Sequence, residues 1–97
     1  MSTTQLRVYQ LPSDWASQDE WVAWWRDLLA PRRHFGFTIT SAVLDRDAGI
    51  FTWMATHDGD FADAEAAYMN SAQRQVVFDR PHTEIKVIRV GIVEVLV

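Results

Sequence analysis

The stretch from Ile85 to Val97 is the strongest constraint on the fold, because it carries aliphatic side chains on both parities of an extended strand. One parity holds Ile85, Val87, Arg89, Gly91, Val93, Val95 and Val97, and the other Lys86, Ile88, Val90, Ile92, Glu94 and Leu96. A strand with one wet face alternates apolar with polar residues, so this run predicts a sheet covered on two sides. Pro81 separates it from what precedes, the strand itself is expected over 84–97, and Gly91 marks the place for a bulge.

The remaining segments alternate between the two periodicities. Leu6 to Leu11 alternates with period two and stops at Pro12. Ser17-Gln18-Asp19-Glu20 matches a capping box, and Trp21, Trp24, Trp25, Leu28 and Leu29 follow at helical spacing. Pro31 predicts a kink, with one further turn through Arg32-Arg33-His34 before Gly36 ends the helix. Phe37–Leu44 and Ile50–Thr56 are β-branched and aromatic, joined by the turn chemistry of Asp45 to Gly49, and read as an antiparallel hairpin. His57 to Asp60 is a loop, Phe61 to Met69 is helical, and Ser71 caps a continuation through Val77. The order is β-α-β-β-α-β. It predicts an α+β, ferredoxin-like single domain over residues 1–97, with a four-stranded antiparallel sheet and two helices on one face.

Two helices cover one face of such a sheet, and the hairpin, like the last strand, is apolar on both parities. Leaving several Val, Ile and Phe side chains in water forfeits many kcal/mol at roughly 25 cal/mol per Å². The simplest cover is the same face of a second copy, so the expected assembly is a homodimer packed sheet to sheet.

Composition removes several function classes. Nine Lys and Arg against thirteen Asp and Glu leave a net charge of −4, which disfavours nucleic acid as a partner. Without cysteine there is no disulfide framework, thiolate nucleophile or cysteine-ligated metal. No apolar stretch approaches the roughly 20 residues that span a bilayer, and the first residues have no signal-peptide pattern. The expectation is a cytoplasmic protein without membrane association.

The Trp-rich first helix with Pro31, the Arg33-His34-Phe35-Gly36-Phe37 junction and the stretch Tyr68-Met69-Asn70-Ser71-Ala72-Gln73-Arg74 together resemble the NIPSNAP family. That family belongs to the dimeric α+β barrel superfamily. Small members show a His-Gly-Phe-like junction and a Tyr-x-x-Ser-Pro-x-Arg-like segment. Here Phe35 is inserted between His34 and Gly36, and Ala72 stands where proline is usual. The resemblance implies a dimeric α+β barrel whose site lies between sheet and helices. Superfamily relatives include cofactor-free monooxygenases, isomerases, and haem-binding or haem-degrading enzymes.

The candidate chemistry follows from residue type. Trp25 and Trp53 can wall a flat apolar pocket, while Tyr68 can offer a phenol and Arg74 can hold an anionic group bidentately. Their alternatives are core filling for the tryptophans, and a surface pairing of Arg74 with Asp79 or Glu65. His57, at a strand end, is the candidate for proton transfer, against a plain loop histidine. His34, His57 and His82 have no metal-ligand spacing, so neither a metal nor a cofactor is expected. The leading function is binding of a small hydrophobic or aromatic molecule in the helix–sheet cleft. The alternatives are a cofactor-independent monooxygenase or isomerase of the same design, and a structural dimer module without a ligand.

Overall fold

Residues 2–97 are described by a computed structural model. Its elements are β1 (Thr3–Gln10), α1 (Trp15–Arg26), α2 (Leu29–His34), β2 (Thr38–Asp45), β3 (Ile50–His57), α3 (Phe61–Met69), α4 (Ala72–Phe78) and β4 (Lys86–Val93). The strands form one antiparallel sheet in the order β2-β3-β1-β4, which is compatible with the ferredoxin-like arrangement. Each of the two expected helices is split in two.

The local chemistry explains the splits. Pro31 has no N–H to give, and its ring crowds the carbonyl four residues back, at Asp27. Helix α1 therefore ends at Arg26, Asp27 and Leu28 donate three residues back to Trp24 and Trp25, and α2 starts at Leu29. Gly36 closes α2 at φ 89°: its N–H bonds the Arg33 carbonyl at 3.0 Å, and Phe37 N–H bonds that of Arg32 at 3.1 Å. This pair of bonds is the Schellman ending that a left-handed glycine permits. Ser71 caps α4, its hydroxyl accepting the Arg74 N–H at 3.1 Å.

At the start of α1 the structure differs from the capping-box reading. Asp14, not Ser17, is the cap, and its carboxylate accepts the Ser17 N–H at 2.9 Å. Both residue types cap well, and the tertiary structure selects the earlier one. It places Gln18 in the interior, where its amide donates to the Pro12 and Arg46 carbonyls at 2.9 and 3.0 Å.

Bulges shift the two-sided aliphatic pattern without burying it: Val87, Val90 and Ile92 of β4 remain 53%, 43% and 59% exposed. Val8 pairs with Arg89 and Tyr9 with Val87, so Ile88 is the extra residue, and the irregularity is there rather than at Gly91. Skipping Ile88 changes the parity. Val87, Val90 and Ile92 then share one side with Tyr9, Arg7 and Gln5, while Lys86, Arg89, Gly91 and Val93 share the other. Thr40 is skipped in the same way in β2, which puts Ile39, Ala42 and Leu44 opposite Ala55, Trp53 and Phe51. Strict counting had assigned these aliphatics to both faces.

Tyr9, Phe51, Trp53 and Ala55 bury one sheet face in the same cluster as Trp21, Trp24, Trp25, Tyr68 and Val77 of the helices. The Trp24 indole N–H ties α1 to α4 by donating to the Val77 carbonyl at 2.9 Å. The opposite face presents Leu6, Val8, Val43, Met54 and Val93 among threonines, outside that cluster. The molecule is a slab of 39 × 34 × 17 Å. Among the described residues no helix is long and apolar enough to cross a membrane.

Candidate functional site

A cleft of about 340 Å³ opens between the β1–β4 side of the sheet and the helices. Trp25, Trp53, Tyr68 and Arg74, the four residues singled out by type, all line it. They reach it from α1, β3, α3 and α4. Trp25 and Trp53 meet edge to face with ring centres 5.4 Å apart, so their bulk forms a wall without closing the space. Both are buried, as is Tyr68.

The floor carries a charge network that the local sequence does not announce. The Glu65 carboxylate on α3 accepts from Arg7 of β1 at 3.0 Å and from Arg32 of α2 at 2.6 Å. Arg32 is buried at 4% exposure, with its guanidinium 3.9 Å from the centre of the Tyr68 ring and 5.3 Å from that of Trp53. Aromatic faces and one carboxylate replace the water that this cation loses. Arg7 is held further by the Gln5 side-chain carbonyl at 2.9 Å and the Tyr9 hydroxyl at 3.3 Å. One carboxylate thus serves two guanidinium groups.

Arg74 is bound differently. Glu65 is taken by Arg7 and Arg32, and Asp79 accepts from Gln75 at 2.6 Å. Among the described residues Arg74 makes no ion pair. Its guanidinium lies 3.9 Å from the Phe78 ring centre and 5.8 Å from that of Tyr68. Burial pushes the Tyr68 phenol above its ordinary 10.0, partly offset by the Arg32 and Arg74 charges. Tyr68 is therefore a neutral hydrogen-bond donor at physiological pH, not a base. The Trp53 indole N–H is buried and has no acceptor.

His57 is not brought to the cleft. Its Nδ1 accepts the Gly59 N–H at 2.9 Å, so the proton sits on Nε2, which donates to the Phe35 carbonyl at 3.1 Å. A Cβ on Gly36 would stand 2.8 Å from that nitrogen, so the ring occupies the space the glycine leaves. Both nitrogens are used, Nε2 in joining β3 to the end of α2 and Nδ1 in holding the turn that follows β3. The histidine on the cleft is His82, stacked on Trp24 at 4.1 Å and 14°, with Nδ1 2.8 Å from the Arg80 carbonyl. Sequence reasoning missed Arg7, Arg32, Glu65 and His82. The one available signal was Arg7, a charge in a strand among apolar alternating residues.

A second hollow, about 400 Å³, lies between α1, α2 and the β2 edge. It is shallow and lacks buried cations and orphaned donors. Among the described residues no group of three or more His, Asp or Glu is placed to hold a metal ion. No family model, curated protein or solved structure matches the chain.

Proposed function

We propose that this chain binds a small, largely hydrophobic or aromatic molecule in the helix–sheet cleft, as one half of a NIPSNAP-like dimeric α+β barrel. The observation that carries the reading is that space of about 340 Å³ persists beside Trp25, Trp53 and Tyr68. Tryptophans that served only as core filling would close it. A cleft of this size stands at the lower end of the roughly 300–1,000 Å³ that small-molecule sites occupy, and it admits a fused-ring aromatic molecule. The family reading is supported by the two stretches that suggested it: one forms the glycine turn after α2, and the other contributes Tyr68 and Arg74 to the cleft.

Calorimetric titration with naphthoquinone tests the proposal. One saturable site per chain is expected, and Met69→Trp, which fills the mouth, should abolish it. Unsaturable heats with naphthoquinone and with naphthoate alike, for the unaltered protein, would refute the reading and favour a structural module.

The homodimer is part of the same proposal. Leu6, Val8, Val43, Met54 and Val93 form an apolar band on the face away from the core cluster, and a matching band on a second copy covers it. Light scattering on a sizing column should give the mass of two chains, and Leu6→Lys should reduce it to one. A single-chain mass for the unaltered protein at micromolar concentration overturns the assembly.

His82 supports a second reading, an isomerase or cofactor-free oxygenase. With Nδ1 turned to the Arg80 carbonyl, Nε2 is available as a base at the cleft. Turnover that His82→Ala removes while binding persists would establish it.

A further inference from the structure

We infer, on the strength of the cleft reading above, that the ligand is a planar aromatic carboxylate. Three observations converge on it. The first is charge. Arg7, Arg32 and Arg74 line the cleft of a chain whose net charge is −4, while Glu65 is shared by two of them and Glu84 stands at the exposed rim. Three cations against two carboxylates leave a positive surplus, and Arg74 is the member without a counterion among the described residues.

The second is orientation. The Arg74 guanidinium carbon lies over the Phe78 ring, 3.9 Å from its centre, which anchors the side chain at the cleft. Contact with a ring does not consume the N–H donors, and a guanidinium fork matches two carboxylate oxygens. A fork fixed in advance loses less rotamer freedom when it binds.

The third is the orphaned donor. Trp53 is 4% exposed, lines the cleft, and has an indole N–H without an acceptor. A buried donor of this kind calls for an acceptor oxygen that the chain does not itself supply. A carboxylate has two oxygens and about four lone-pair sites, enough to meet a guanidinium fork, an indole N–H and the neutral Tyr68 hydroxyl together. A phenolate has one oxygen and a quinone carbonyl carries no charge. The flat aromatic walls select the rest of the molecule.

The test is calorimetric titration of the full chain with three probes of one shape: naphthoate, naphthamide and naphthylmethylammonium. Naphthoate is expected to bind about tenfold or more tighter than the amide, as a charge-assisted bond predicts, with the ammonium weakest. Arg74→Gln should shrink the advantage of the acid over the amide to less than about threefold. Arg74→Lys, which keeps the charge but not the fork, should retain an intermediate preference. Trp53→Phe should weaken naphthoate several-fold without unfolding the chain, as circular dichroism would verify. Equal affinity for acid and amide, or tighter binding of the ammonium, overturns the carboxylate assignment and leaves the cleft reading intact. Absence of binding by every probe overturns both.

Discussion

Replacing Glu65 with alanine removes the one carboxylate that Arg7 and Arg32 share, and the two arginines do not suffer equally. Arg7 keeps Gln5 and Tyr9 as partners at 2.9 and 3.3 Å. Arg32, whose side chain is 5% exposed, keeps only the aromatic faces around it. Removing one partner of a buried pair costs about 3–5 kcal/mol, because the remaining charge is left without water or counterion. Glu65 itself is 18% exposed, so some water reaches the gap and the low end, about 3 kcal/mol, is expected here. That is a large share of the roughly 5–15 kcal/mol by which a domain is stable. It corresponds to a fall in Tm of roughly 12–24 °C for a chain of this size. Glu65→Gln, which keeps one acceptor oxygen, should cost about half as much. The assay is urea unfolding followed by tryptophan fluorescence at fixed protein concentration. The double variant Arg32→Met, Glu65→Leu should be more stable than the two single losses summed, since it removes the buried cation that Glu65→Ala strands and leaves only Arg7, which keeps Gln5 and Tyr9. A cost below about 1 kcal/mol for Glu65→Ala, or an additive double variant, would refute the account of the cleft floor.

Three further outcomes follow from the geometry. Deleting Ile88 removes the bulge and leaves every other β4 residue on its present side, whereas deleting Val90 turns Arg89 toward the core; unfolding midpoints should show the first tolerated far better than the second. Gly49→Ala sets a Cβ 2.8 Å from the Gln10 amide nitrogen and 2.9 Å from the Leu11 carbonyl at φ 69°, and should cost about 1–3 kcal/mol in the same assay. The raised Tyr68 value means that the folded state holds its proton longer than the unfolded one. Stability is then intact below pH 10.0 and is lost as pH climbs from there toward the folded-state value, and Tyr68→Phe should flatten that decline in alkaline unfolding curves.

Signals carried within a few residues were legible. The element order, the break imposed by Pro31, the glycine ending at Gly36 and the Ser71 cap all follow from local sterics and hydrogen bonding, and the structure contains each of them. Trp25, Trp53, Tyr68 and Arg74 could be singled out because bulky aromatic and forked cationic side chains are the types that build ligand walls.

What the chain did not disclose is where extended segments slip and which distant charges meet. A bulge at Ile88 or Thr40 has no signature of its own, and Gly91, the residue with one, pairs regularly. Asp14 and Ser17 are equally good caps, and the choice between them rests on the burial of Gln18. Glu65 meets Arg7 across 58 residues and Arg32 across 33. The proximity of His82, rather than His57, to the cleft comes from its stacking on Trp24. Backbone preferences act over one or two turns, so sequence alone determined the order of the elements and the boundaries at Pro31, Gly36 and Ser71. Register, facing and ion pairing minimise the energy of the packed whole, and only the tertiary structure decided them.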